Sequence, residues 1–220
     1  MGYHRADGSV GTANYWLVIP MVFCENRNVE VLKEALLPEL GYSRPAKYAA
    51  FTRSLVAQQQ GGADPLTVLE SLYTADVAAN KSSRIFENVD GIKFLTHEGG
   101  CGGIRQDAQT LCGLLAGYIT HANVAGATVL SLGCQNAQIS MLQNEIKKRD
   151  PGFAKPLYIL DQQPTGTESQ LSTNAIRQTF AGLMQANECS RQPAPLDKLC
   201  IGLECGGSDS FSSITANPAL

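Results

Sequence analysis

The chain has 220 residues, with 17 Lys or Arg against 20 Asp or Glu and a formal net charge of −3; that length fits one domain of roughly 150 residues or a little more. Charged residues make up 17% and hydrophobic residues 44%, which excludes a disordered chain, and a mildly acidic balance with no basic run excludes nucleic acid as a major partner. No apolar run reaches the roughly 18 residues of a membrane span, and the polar start, with His4, Arg5 and Asp7, does not read as a signal peptide, so a cytoplasmic protein is expected.

In chain order, residues 15–23 (YWLVIPMVF) predict a buried strand, and Pro20 within it predicts an edge position or a bulge, because proline offers a ladder no N–H. A helix over 29–40 follows, with Asn26 or Asn28 as its N-cap. Residues 47–51 predict a short second strand, Gly61, Gly62 and Pro65 a loop, and 66–79 a helix. A strand over 91–96 leads into a glycine cluster and a helix over 105–121. Strand 127–132, helix 137–148, strand 157–160, helix 170–186 and a last strand over 198–203 complete the pattern. Alternating strands and helices predict an α/β domain over 1–220, with a mostly parallel sheet covered by helices on both faces. This is Rossmann-like in outline, but no strand is followed by G-x-G-x-x-G, and the glycine cluster is no Walker loop.

Open α/β sheets bind ligands beyond the carboxyl ends of their strands, and the residues expected there are informative. They are Cys24-Glu25-Asn26; His97-Glu98 with Gly99 to Gly103 around Cys101; Gly133-Cys134-Gln135-Asn136; Asp161-Gln162-Gln163; and Glu204-Cys205-Gly206-Gly207-Ser208-Asp209. Seven cysteines, an odd number without a C-x-x-C pair, argue against disulfides, a zinc ribbon or a thioredoxin motif. Cys112, Cys189 and Cys200 read as small buried hydrophobes. Cys101, Cys134 and Cys205 could hold iron or an iron–sulfur centre, because thiolates favour soft or borderline metals; another divalent metal is also open. His4 is expected in solvent and His121 at a helix end, where imidazolium suits the dipole. His97 opens the glycine loop as a candidate metal ligand or general base. Asn26, Glu98, Gln135 and Gln162 are candidate binders of a polyhydroxylated substrate. Gly206 to Ser210 fails the last position of G-x-S-x-G, and no His follows it, so a serine-hydrolase elbow is not expected.

Three stretches, THEGGCGG at 96–103, SLGCQNAQ at 131–138 and GLECGGSDSFSSITANPA at 202–219, resemble the altronate/galactarate dehydratase family of sugar-acid lyases, as does DGSVGTANYWLVIP at 7–20. Ser213 stands where the family pattern has glycine. The resemblance implies a hydro-lyase that removes water from a hexonate or hexarate to give a 2-keto-3-deoxy acid, with iron(II) in some members. It implies a catalytic His97, a metal centre at Cys101, Cys134 and Cys205, and Ser208 and Asp209 orienting hydroxyls or donating a proton. Family members are longer, three-part proteins, so the chain is expected to be a central domain whose N- and C-terminal partners are missing; a homo-oligomer is also open. A sulfolactate sulfo-lyase-like carbon–sulfur lyase, a non-catalytic anion-binding domain and a redox sensor built on the thiols are the competing expectations.

Overall fold

The structure is a computed structural model that describes residues 1–43, 48–73, 83–202, 211 and 214–219. A small antiparallel ribbon of β1 (Tyr3–His4) and β2 (Val10–Gly11) opens the chain. The main elements then follow as β3 (Tyr15–Pro20), α1 (Asn26–Glu39), α2 (Ala49–Gln60), α3 (Pro65–Leu69), β4 (Gly91–Phe94), α4 (Arg105–Thr120), β5 (Val124–Ser131) and α5 (Ile139–Arg149). Next come β6 (Leu157–Asp161), α6 (Gln162–Thr165), α7 (Glu168–Asn187) and α8 (Ala216–Ala219). Strands β3 to β6 form one sheet in the order β4-β3-β5-β6, and every neighbouring pair is parallel.

Helices cover both faces, as the sequence predicts. Trp16 and Val18 pack with Val29 and Leu32 of α1 and Leu171 and Leu183 of α7. Leu17 and Ile19 pack on the other face with Cys112 and Leu115 of α4 and Leu142 of α5. Successive side chains of a strand point to opposite faces, so a strand buried on both reads as an unbroken apolar run. The same geometry buries all eight residues of β5.

Pro20 stands in the central strand, not at an edge, and the register irregularity lies at Tyr15/Trp16 instead. The β3–β4 pairing ends at Val18 and Phe94, with Leu95 N–H donating to Val18 O. Met21 N–H then donates to Leu130 O on the β5 side. The nitrogen of Pro20 therefore faces the side where the ladder has already stopped, and its missing N–H takes nothing away.

Further expectations are corrected. Neither Asn26 nor Asn28 caps α1: a 3-10 turn over Phe23–Glu25 starts it, Glu25 holds the cap position, and both asparagines bond elsewhere. The expected strand over 47–51 is instead the start of α2, whose Ala, Leu and Gln favour helix; Lys47 lies outside the described residues. No strand forms between 198 and 202: a 3-10 turn at Leu196–Lys198 leads into a segment where Leu199, Cys200 and Ile201 are exposed. Cys200 is thus not a core residue, whereas Cys112 is fully buried and Cys189 half-buried. Helix α3 is shorter than expected from 66–79, of which 74–79 lie outside the described residues. His121 does end α4, and Lys155 Nζ closes that end by donating to Thr120 O (2.9 Å) and His121 O (2.7 Å). No described helix is long and apolar enough to cross a membrane.

The tightest packing surrounds Trp16. A Cβ at Gly182 on α7, or at Gly126 on β5, would fall inside the indole's own space. The indole Nε1 donates to Thr128 Oγ1 (3.1 Å), which bonds in turn to Thr179 on α7 (2.7 Å). Replacing Gly182 with Ala gains up to about 1 kcal/mol of helix propensity, while overpacking a core commonly costs about 1–3 kcal/mol. Here the backbone and a fully buried ring must both move. Gly182→Ala should therefore destabilise the domain by about 1–2 kcal/mol, read as a melting temperature lower by several degrees; an unchanged or raised value would contradict this packing.

Candidate functional site

The chain leaves β3 for α1 on one face of the sheet and leaves β5 for α5 on the other. Where neighbouring parallel strands diverge in this way, a crevice opens beyond their carboxyl ends, the usual ligand site of such sheets. Three loops meet there and are bonded to one another. Phe23 N–H donates to Gly99 O (2.9 Å), tying the turn after β3 to the glycine loop after β4. Ala137 N–H donates to Gly100 O (3.0 Å), tying that loop to the one after β5. Gly100 has φ +99°, and a Cβ there would collide with the Met21 carbonyl. Only glycine allows this close approach.

His97 lies at the hub of these ties. Its Nδ1 accepts the Gly99 N–H (3.2 Å), so the proton of the neutral ring sits on Nε2, which donates to Pro20 O (2.7 Å). Both ring nitrogens thus hold backbone, and a role as base or metal ligand requires Nδ1 to release Gly99. Asn26 donates from Nδ2 to His97 O (2.9 Å), while its Oδ1 is buried without a hydrogen-bond partner. Glu98 is exposed on the same loop.

Beyond β5, Gln135 is 2% exposed and braced on both sides of its amide. Its Oε1 accepts the Gly133 N–H (2.7 Å) and its Nε2 donates to Ser131 Oγ (2.6 Å). Ser131 Oγ in turn donates to Asp161 Oδ1 at 3.4 Å, reaching the end of β6. Gln162 follows half-buried at the start of α6. The structure thus brings Asn26, His97, Glu98, Cys101, Cys134, Gln135 and Gln162 to one sheet edge. Cys205, Ser208 and Asp209 lie outside the described residues.

Sequence reasoning gave Glu25 no role, yet it is the most unusual group at this edge. It is 1% exposed, and Asn28 Nδ2 donates to its Oε2 (2.8 Å). Burial pushes its carboxyl above the ordinary carboxylate range; the Asn28 bond opposes this, and the charges of Glu168 and Asp161 add to it. Its one signal in sequence is a carboxylate directly behind a long apolar strand. A separate cavity of about 750 Å³ runs along the outer faces of α4 and α5, between Gln106 and Arg149. It shares none of these groups, so the polar convergence at the sheet edge decides the assignment.

A metal centre needs several donor side chains converging on one point. Cys24, Cys101 and Cys134 are exposed, and both nitrogens of His97 are engaged. Among the described residues, no three His, Cys, Asp or Glu side chains are placed to share an ion. The described residues alone therefore do not make up an iron site.

A parallel α/β domain with a polar crevice at its strand divergence is a domain built to bind or transform a small molecule. The chain belongs to the D-galactarate dehydratase/altronate hydrolase family: residues 2–187 match the family model described as D-galactarate dehydratase/Altronate hydrolase, second domain. Residues 196–220 match the model described as D-galactarate/Altronate dehydratase, C-terminal. It is 26% identical to altronate dehydratase of Bacillus subtilis (strain 168), over 100% of this chain and 34% of that protein. It is 25% identical to altronate dehydratase of Escherichia coli (strain K12), over 99% of this chain and 34% of that protein. Galactarate dehydratase (L-threo-forming) of the same E. coli strain is 30% identical over 42% of this chain and 18% of its own length. The chain thus spans about a third of the length of the altronate dehydratases it matches. No solved structure matches the chain significantly.

Two measurements check the site. Because the fold raises the pKa of Glu25, stability is greatest where the carboxyl is protonated and falls as pH rises through the folded-state value. Glu25→Gln mimics the protonated form. It should be more stable than the wild type at pH 7–8 in denaturant melts, with the advantage fading below about pH 4, where folded and unfolded carboxyls are both protonated. An advantage constant with pH would mean that ionisation is not its source. Thiol mapping is the second check. Burial pushes the Cys112 thiol up to about 11, so native protein should be alkylated at Cys24, Cys101, Cys134 and Cys200 while Cys112 reacts only after unfolding.

Proposed function

We propose that the chain forms part of a sugar-acid hydro-lyase, which eliminates water from a hexonate or hexarate to give a 2-keto-3-deoxy acid. The family match over residues 2–187 carries this reading, and the crevice supplies groups suited to it. In such an elimination, a base takes the weakly acidic proton beside the carboxylate, the β-hydroxyl leaves as water after gaining a proton, and the enol product becomes the ketone. Asn26 Oδ1 and Glu98 accept hydrogen bonds from substrate hydroxyls, and Gln162 reaches the same edge from β6. Gln135, with two bonds already made, holds the loop and offers its remaining N–H. His97 serves as base once substrate displaces the Gly99 N–H from Nδ1. The exposed glycine loop and the start of α4 present N–H groups that suit an anion.

Ser208 and Asp209 complete the proposal as hydroxyl-orienting or proton-donating groups. Metal dependence, on iron or another divalent metal, also belongs to the proposal, with Cys205 joining Cys101 and Cys134. A bound metal would supply a Lewis acid for the developing negative charge. Because the chain covers a third of its relatives, the activity is that of the intact protein, with its other domains and any homo-oligomer, in a cytoplasmic setting that keeps thiols reduced.

The test is to purify the intact protein anaerobically, supply it with a panel of hexonates and hexarates, and follow 2-keto acid formation. Turnover of at least one is expected, and failure on all would overturn the reading. Metal analysis of an active preparation decides the metal part separately: activity without bound iron or another divalent metal would end it.

A further inference from the structure

The turn after β3 holds buried side-chain acceptors with few partners. Asn26 Oδ1 is buried with no partner. Beside it, the Glu25 carboxylate receives one hydrogen bond among the described residues, at Oε2 from Asn28, although a carboxylate has about four acceptor positions. Asp161 at the end of β6 and Glu168 at the start of α7 lie near enough to repel its charge. Among the described residues, no lysine or arginine forms an ion pair with any of the three. The glycine loop after β4, bonded to this turn at His97 and Gly99, is open backbone further on: Cys101, Gly102 and Gly103 are exposed, and a Cβ at Gly102 would touch nothing.

We propose that Glu25 selects the substrate's far end, so that the crevice takes a sugar acid with one carboxylate and turns away one with two. The single carboxylate lies toward the glycine loop, and the hydroxylated tail lies toward Glu25 and Asn26, where hydroxyl donors meet waiting acceptors. A second carboxylate at that end would bring a further negative charge against a carboxylate in a low-dielectric setting. Glu25 acts here as a specificity residue, not as the group that moves the proton. The inference rests on the dehydratase reading above.

The experiment uses intact protein and compares a hexonate with the hexarate of matching configuration, by kcat/KM and by equilibrium binding. Wild type should favour the hexonate by at least about tenfold, a gap of about 1.4 kcal/mol. Glu25→Gln should narrow that ratio about tenfold, mainly by improving the hexarate, while Glu25→Asp should keep it. Should Glu25→Gln fail to fold, Glu168→Gln, at the exposed start of α7, should shift the ratio in the same direction by a smaller factor. Turnover with a ratio that no charge-removing variant moves, or a wild type that prefers the hexarate, overturns this inference and leaves the dehydratase reading standing. Absence of both binding and turnover with every hexonate and hexarate of the panel overturns the dehydratase reading, and this inference with it.

Discussion

The backbone of β3 must be satisfied on both edges by parallel neighbours while both of its faces are buried by helices. That constraint places everything else. A strand six residues long, with Trp16, Val18 and Ile19 fully buried, can exist only if β4 and β5 flank it and α1, α7, α4 and α5 cover it. Parallel neighbours need crossover connections, and helices on both faces mean that the connections must diverge. They diverge at the carboxyl end of β3, which is where the crevice opens. Trp16 tightens the arrangement, since Gly126 and Gly182 leave room for the ring and draw α7 close to the sheet. Glu168, at the start of α7, and Asp161, at the end of β6, lie within electrostatic reach of Glu25.

The crevice is held largely by backbone. Gly99 and Gly100 accept from the loops on either side through their carbonyls, and His97 spends both ring nitrogens on the same stitching. Glycine at position 100 is a steric requirement, because the Met21 carbonyl occupies the space of a side chain. The loop can therefore be rigid at Gly100 and open at Gly102 within two residues. Rigidity at the anchor with exposed N–H groups beyond it is how a short loop presents backbone to an anion without a dedicated cation.

Much of this architecture was legible in the sequence because parallel strands buried on two faces leave plain apolar runs. The four sheet strands and the helices α1, α4, α5 and α7 all show in periodicity to within a few residues. The run at 198–203 misleads because it has the composition of a strand, yet its described residues, 198–202, form none; Leu199 and Ile201 stand in solvent. The stretch at 47–51 misleads because a few β-tolerant residues precede a longer run of helix formers in α2. Pro20 misleads in a subtler way, since whether a missing N–H matters depends on where the neighbouring strand stops. At the site, the sheet-edge residues could be collected from sequence, but not what each does there. His97 looks catalytic in a one-dimensional reading, yet its ring proves to be tied to Pro20 and Gly99. Glu25 is collected with its neighbours at the strand end, and its burial shows only in the fold.

That burial needs a reason. Taking a carboxylate out of water is costly unless it is paired and fully hydrogen-bonded, and Glu25 has one amide for a partner and two acids for neighbours. Sequences that keep a locally unfavourable group tend to do so where it serves a ligand. A carboxylate with open acceptor positions next to an asparagine oxygen without a donor is poorly placed for stability and well placed to receive hydroxyl groups. The energetic disadvantage in the empty domain and the selectivity proposed for the occupied one are then two consequences of a single placement, the buried charge at the carboxyl end of β3.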